Sequence, residues 1–278
     1  MNTHFEIEHL TPFIGSKITG LDLSQPIPLN TLTDLRKVWL ERKMIYFLDQ
    51  KLTPDQQLAF TRQFGEVNKY PFLHGIEGNP LVAPVLKLPD EKINFGGVWH
   101  ADTTYLETPA LGASLYALEL PPVGGDTIFC NMQTAYETLD QDIKDQIDGR
   151  KAYFTSGKAA VSKTRMPRIA DHGDDSAPEV FTNLHPVVRT HPETGEKTLF
   201  AHEAHTLRFE DLTEEESEPL LNKLYMHARK PEFQCRVRWS EGMVVLWDNR
   251  STHHYPINDY HGYRRLLHRV SLKGDRPV

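Results

Sequence analysis

The chain has 278 residues, of which 39% are hydrophobic and 25% charged, an ordinary soluble composition with ample material for a core. Its 31 Lys and Arg against 38 Asp and Glu leave a net charge of −7, which argues against nucleic acid or an anionic membrane as the main partner. No apolar stretch approaches the roughly 18 residues of a membrane span. The opening MNTHFEIEHLTPFIG has no basic-then-apolar leader pattern, and Cys130 and Cys235 lack CxxC spacing, so a reducing cytoplasm is expected.

In chain order, Leu32, Leu35, Val38 and Leu40 recur at roughly helical spacing and predict a helix over 30–43. A strand is expected over 44–48. Thr53-Pro-Asp-Gln56 reads as a capping box with Pro at the first helical position, opening a helix to about residue 64. Strands follow at 112–118 and 126–130, and residues 131–147 read as a helix in two pieces. Residues 156–176 are charged and weakly periodic, with Lys158, Lys163, Arg165 and Arg168, and predict a long functional loop. Thr213-Glu-Glu-Glu216 is a second capping box, ahead of Leu220, Leu221, Leu224 and Tyr225, and its acids suit a helix N-terminus. Strands are expected at 233–239, 243–247 and 266–272; in the first, Phe233, Cys235, Val237 and Trp239 alternate with polar residues. Many strands with few helices imply a mainly β fold with decorating helices, a double-sheet jelly roll. All-β folds of this length often form one domain. The expectation is a single domain over 1–278, with the helices of roughly 30–65 packed outside the jelly roll.

The chemistry concentrates in VWHADTTY and WDNRSTHHYP. His100 and Asp102 are two apart, so in an extended segment both point to one side and can chelate one ion. Two imidazoles and one carboxylate on one face of a metal leave the other face open, the set that suits non-haem Fe(II) enzymes. His253 and His254 both follow Thr252, and spacing alone does not choose between them. Arg265 and Arg269, four apart in RRLLHRVSL, would share a strand face with Leu267, and inward arginines need anionic partners. Gly124-Gly125 in PPVGGD reads as a tight turn. Trp99 and Trp247 are expected in the core or a pocket wall, and Asp248 and Asn249 are candidates for orienting a metal ligand.

VWHADTTYLETPALG, LPPVGGDTIFCNMQTAYETL, LHPVVRTHPETGEKTLF and LWDNRSTHHYPINDYHGYRRLLHRVSLKGDRP, in that order and preceded by ITGLDL and FTRQFGEV, resemble the taurine / 2,4-dichlorophenoxyacetate dioxygenase family. The resemblance spans nearly the whole chain. It implies a double-stranded β-helix and dependence on Fe(II), with 2-oxoglutarate and O2 as co-substrates. The implied reaction hydroxylates an aliphatic C–H bond and releases succinate and CO2. It makes His100, Asp102 and His254 the metal ligands, with His253 a neighbour. It places Thr127 and Arg265 on the distal carboxylate of 2-oxoglutarate, and Arg269 nearer the metal, where it also reaches substrate. Tyr70, His74, Asn94 and Phe95 become candidate substrate contacts.

Taurine-hydroxylating members carry a His where this chain has Tyr70, an aromatic where it has Leu73 and an amide near Gly96, so taurine itself fits poorly. The expected substrate is a small anion: a sulfonate, sulfate ester, aryloxy- or amino-carboxylate. Further copies of the same chain, in a homo-oligomer, are the other expected partner. The competing reading is a metal-binding jelly roll without redox chemistry, such as a hydrolase, isomerase or small-molecule sensor.

Overall fold

Segments such as Val244-Val-Leu-Trp-Asp248 are buried along their whole length, which requires a sheet covered on both faces. The computed structural model describes residues 4–173 and 180–278, without the side chains of 166–168 and 170–172. In chain order these form β1 (Glu6–His9), β2 (Ser16–Thr19), α1 (Leu29–Arg42), β3 (Met44–Phe47), α2 (Pro54–Arg62), β4 (Val67–Asn68), β5 (Val82–Lys87) and β6 (Gly112–Glu119). There follow β7 (Thr127–Asn131), α3 (Met132–Glu137), α4 (Gln141–Ile147), β8 (Lys151–Thr155), α5 (Ala159–His172), β9 (Thr182–Pro186), β10 (Val188–Thr190) and β11 (Lys197–Leu199). The last are β12 (Thr206–Phe209), α6 (Glu214–Ala228), β13 (Gln234–Val237), β14 (Val244–Asp248), β15 (Thr252–Pro256) and β16 (Arg265–Leu272).

The large sheet has the order β1-β2-β3-β14-β6-β16-β4, with β5 also paired to β16; a three-stranded sheet has the order β13-β7-β15. Period-two alternation decides what each face meets. On β14, Val245 and Trp247 join Ala113, Ala117 and Leu267 against Phe129, Cys235 and Val237 of the small sheet. Val244 and Leu246 point the other way, onto Leu35 and Trp39 of α1 and Phe60 of α2. Each such fully buried side chain contributes roughly 1.5–3 kcal/mol. Two sheets face each other across a core, helices cover the outside, and the fold is the jelly roll expected from the strand count.

The helices start and stop where local chemistry says they should. Thr53 and Gln56 form the reciprocal capping box of α2, and Thr213 and Glu216 that of α6. The expected two-piece helix is α3 and α4; the Asn131 side chain accepts from the backbone N–H groups of Gln133 and Thr134 at the start of α3.

The expected loop over 156–176 is corrected: residues 159–172 form α5. Among its described side chains the buried ones, Val161, Thr164 and Arg165, follow helical i, i+3, i+4 spacing, but two of the three are polar. A pattern read from hydrophobicity therefore misses it. The side chain of Arg168, and Ser176 itself, lie outside the described residues.

Removing the Thr213 hydroxyl deletes one half of a capping box at the helix that covers Phe209 and Phe233. Thr213→Ala should cost about 1 kcal/mol, measured as a lower urea midpoint at unchanged slope.

Candidate metal and co-substrate site

Strand register selects between the two adjacent histidines. On β15, His254 lies opposite Phe129 and His253 opposite Cys130. Phe129 faces the core between the sheets, and Cys130 faces the outer cluster with α3 and α6. His254 therefore points inward. His253 points away, its ring 5.1 Å from that of His202.

A second pairing brings in His100. Its backbone N–H donates to the His254 carbonyl at 3.1 Å, and the His254 N–H donates back at 2.8 Å. Such a mutually bonded antiparallel pair puts both side chains on one face, and the ring centroids lie 4.1 Å apart. His100 Nδ1 is 2.6 Å from the Val98 carbonyl. That oxygen can only accept, so Nδ1 carries the hydrogen and Nε2 keeps its lone pair.

Asp102 is placed by Asn249. The Asn249 amide donates to Asp102 Oδ2 at 3.1 Å, while its oxygen accepts from the Asp102 backbone N–H at 3.2 Å and from Trp247 Nε1 at 2.9 Å. The other carboxylate oxygen is left 3.7 Å from His100 Nε2 and 3.8 Å from His254 Nε2. The ligand atoms of the three residues all lie within 4.8 Å of one another. Burial pushes both imidazoles below their ordinary value. Burial also pushes the Asp102 carboxyl up, but Arg269, the two histidines and Asn249 outweigh it and hold it at about 2. Two neutral imidazoles beside one carboxylate are what a divalent cation requires, since ligands must be deprotonated to bind.

Of the two candidates for orienting a ligand, Asn249 does so. Asp248 instead pairs with Arg250 at 2.6 Å and with His191 at 3.0 Å. Those contacts brace the turn that joins β14 to β15.

A cavity opens on each side of the triad. The first is lined by Thr127, Arg265, Arg269, Trp247 and both histidines. Arg265 is buried, with its Nε lacking any partner. Trp239 Nε1 donates to Thr127 Oγ1 at 3.0 Å, so the hydroxyl hydrogen is free to donate elsewhere. Gly124 and Gly125 both take left-handed backbone, at φ 85 and 73, while the bend itself lies just before them at Pro122 and Val123. A Cβ on Gly125 would come 3.3 Å from Arg265 Nε, so the backbone must pass close here. Arg269 places Nη1 3.1 Å from Asp102 Oδ1 and leaves Nη2 buried without a partner. The chemistry of this donor set fits a metal-chelating dicarboxylate.

The second cavity is lined by Tyr70, Phe95, Tyr105, Arg165, His205 and Arg269 around His100 and Asp102. Tyr70 and Phe95 share a wall of this cavity, their rings 5.8 Å apart. Asn94 belongs to the first cavity; its amide donates to the Ile257 carbonyl at 3.0 Å and braces the chain after β15. His74 is exposed and lines neither cavity, because the buried place beside it is taken by Leu73. Sequence reading missed Tyr105 and His205. Tyr105 sits only three residues past Asp102, and its ring packs 4.8 Å from that of His205.

Residues 6–271 match the family described as "Taurine catabolism dioxygenase TauD, TfdA family". An alkylsulfatase of Acinetobacter baylyi is 31% identical over 283 residues, spanning 97% of this chain and 85% of that one. The (S)-phenoxypropionate/alpha-ketoglutarate-dioxygenase of Sphingobium herbicidovorans is 33% identical over 287 residues, 99% of this chain and 97% of that one. A taurine dioxygenase structure from Burkholderia xenovorans superposes with a TM-score of 0.83 at 31% identity, covering 99% of this chain and 92% of that chain.

Asn249 makes both hydrogen bonds that aim Asp102. Asn249→Ala should weaken Fe(II) binding about 10–100-fold, read by anaerobic metal titration, with the fold intact by circular dichroism.

Proposed function

Because the chain belongs to the taurine catabolism dioxygenase TauD, TfdA family, and is an Fe(II)- and 2-oxoglutarate-dependent dioxygenase, we propose that its substrate is a small anion. That anion would enter the cavity lined by Tyr70, Phe95 and Arg269. His100, Asp102 and His254 hold the metal in this reading, and Arg265 with Thr127 receives the distal carboxylate of 2-oxoglutarate. When bound, Fe(II) with 2-oxoglutarate and O2 supplies the oxidising power to hydroxylate an aliphatic C–H bond, with release of succinate and CO2.

The protein's own part is positioning and exclusion of water. His100, Asp102 and His254 would hold the ion, and the cavities on either side of them would admit co-substrate and substrate. Arg265 supplies planar, charge-assisted hydrogen bonds that suit a carboxylate. Arg269 stays beside Asp102, within reach of both cavities. The aromatic wall of Tyr70, Phe95 and Tyr105 keeps the reacting bond dry.

One observation carries the reading: a buried arginine with an unpartnered Nε faces a threonine hydroxyl whose hydrogen is free, in the cavity next to the triad. A hydrolase or sensor would keep the triad without needing this clamp. Sulfate esters and aryloxy acids come first among the anions, from the names of the relatives, whereas Tyr70, Leu73 and Gly96 disfavour taurine. No described helix is long and apolar enough to cross a membrane. The two buried free cysteines fit the cytoplasm as the working compartment.

Succinate should form only with Fe(II), 2-oxoglutarate and O2 together, and His100→Ala or Asp102→Ala should abolish it. Arg265→Ala should raise KM for 2-oxoglutarate about 100-fold. Succinate formation that ignored Arg265, or none with any sulfate ester, sulfonate or aryloxy acid, would overturn the assignment.

A further inference from the structure

The substrate cavity holds a second guanidinium besides Arg269. Arg165, on α5, is 5% exposed and lines the cavity wall. Its Nη2 donates to the Ser156 carbonyl, while Nε and Nη1 have no partner. No carboxylate pairs with it among the described residues. Its guanidinium carbon sits 4.2 Å from the Phe72 ring centroid and 5.9 Å from that of Tyr105. A buried cation with unsatisfied donors is expensive unless something anionic arrives.

The helix holds this group in place. Lys158, just ahead of α5, donates to the carbonyls of Glu203 and Thr206 at 2.7 and 2.9 Å. Thr164 Oγ1 accepts from the Gly96 backbone N–H at 3.3 Å, and a Cβ on Gly96 would lie 3.1 Å from His100 Cε1. The Arg165 helix is thereby clipped to the loop that passes over a metal ligand.

Charge balance then separates the two arginines. Arg269 lies over the Tyr70 ring at 5.3 Å and is offset by Asp102 at 3.1 Å. Tyr70 packs 6.0 Å from Phe72, so Arg165 sits on the neighbouring ring with no carboxylate of its own. A divalent metal and a dianionic co-substrate sum to zero and Asp102 offsets Arg269, which leaves Arg265 and Arg165 as uncompensated positive charge; of these two only Arg165 lines the substrate cavity.

We infer that Arg165 receives the anionic head of the substrate. The substrate is then an amphiphilic monoanion, with a compact oxyanion (sulfate ester, sulfonate or carboxylate) on Arg165 and an apolar or aryl body against Phe95, Tyr105 and Val161. The inference rests on the dioxygenase reading only for which cavity the substrate enters.

Anaerobic calorimetric titration of the Fe(II)- and 2-oxoglutarate-loaded protein tests it. Pentyl sulfate, pentanesulfonate, hexanoate and pentan-1-ol separate head-group charge from chain length. The wild type should bind at least one anion about tenfold or more tightly than the alcohol. Arg165→Gln should remove that preference at unchanged alcohol affinity, and Arg165→Lys should keep part of it. A wild type with no preference, an unaltered preference in Arg165→Gln, or equal weakening of anion and alcohol would each overturn the assignment; the last would mark Arg165 as a packing residue. If Arg165→Gln does not fold, Arg165→Lys decides, by weakening the anion alone or not. The titration needs no turnover. Arg165-dependent anion binding in a protein that forms no succinate would sink the dioxygenase reading and leave this one standing.

Discussion

Two backbone hydrogen bonds, one in each direction between His100 and His254, carry the rest of the site. Side chains can rotate, but a mutually bonded pair across two strands cannot change face without losing both bonds. His254 is already held by its register with Phe129 on β7. The bridge transfers that rigidity to the otherwise irregular segment before Asp102, where the chain turns at Thr103 with a positive φ of 51. Asn249 completes the set from the turn after β14, using one side chain to fix both the backbone and the carboxylate of Asp102.

Around that frame, burial and charge are balanced group by group. The imidazoles are kept neutral by burial, which costs nothing for a ligand that must be neutral anyway. Asp102 stays ionised because Arg269 and the histidines more than offset its loss of water. Arg265, by contrast, is buried beside the rings of Trp239 and Tyr260 with no ion-pair partner of its own. Buried carboxylates and guanidiniums that pair internally, such as Asp248 with Arg250, serve the fold.

The strands and caps were legible in the sequence because each rests on short-range rules, as does the spacing that lets His100 and Asp102 point to one side. Thr53 with Gln56 and Thr213 with Glu216 are complete capping boxes within four residues. The inward parity of Arg265, Leu267 and Arg269 needs only alternation along one strand. The choice of His254 over His253 is different in kind, because it depends on pairing with a strand more than a hundred residues earlier. Helix α5 was hidden because its buried face carries Thr164 and Arg165 in place of apolar residues. Asn94 and His74 illustrate a related limit: position in a loop fixes proximity, but not which way a side chain turns.

The clip between Thr164 and Gly96 joins two parts of the molecule with different origins. The residues proposed for metal and co-substrate sit on or beside β7, β14, β15 and β16, inside the paired sheets, where a change of residue disturbs a core. Tyr70, Phe72 and Arg165 lie outside those strands, the first two between β4 and β5 and the third on α5. If Arg165 meets the substrate as proposed, a change of α5 alters recognition from outside the paired strands, and the Thr164 hydroxyl on the Gly96 amide is the contact that such a change has to keep.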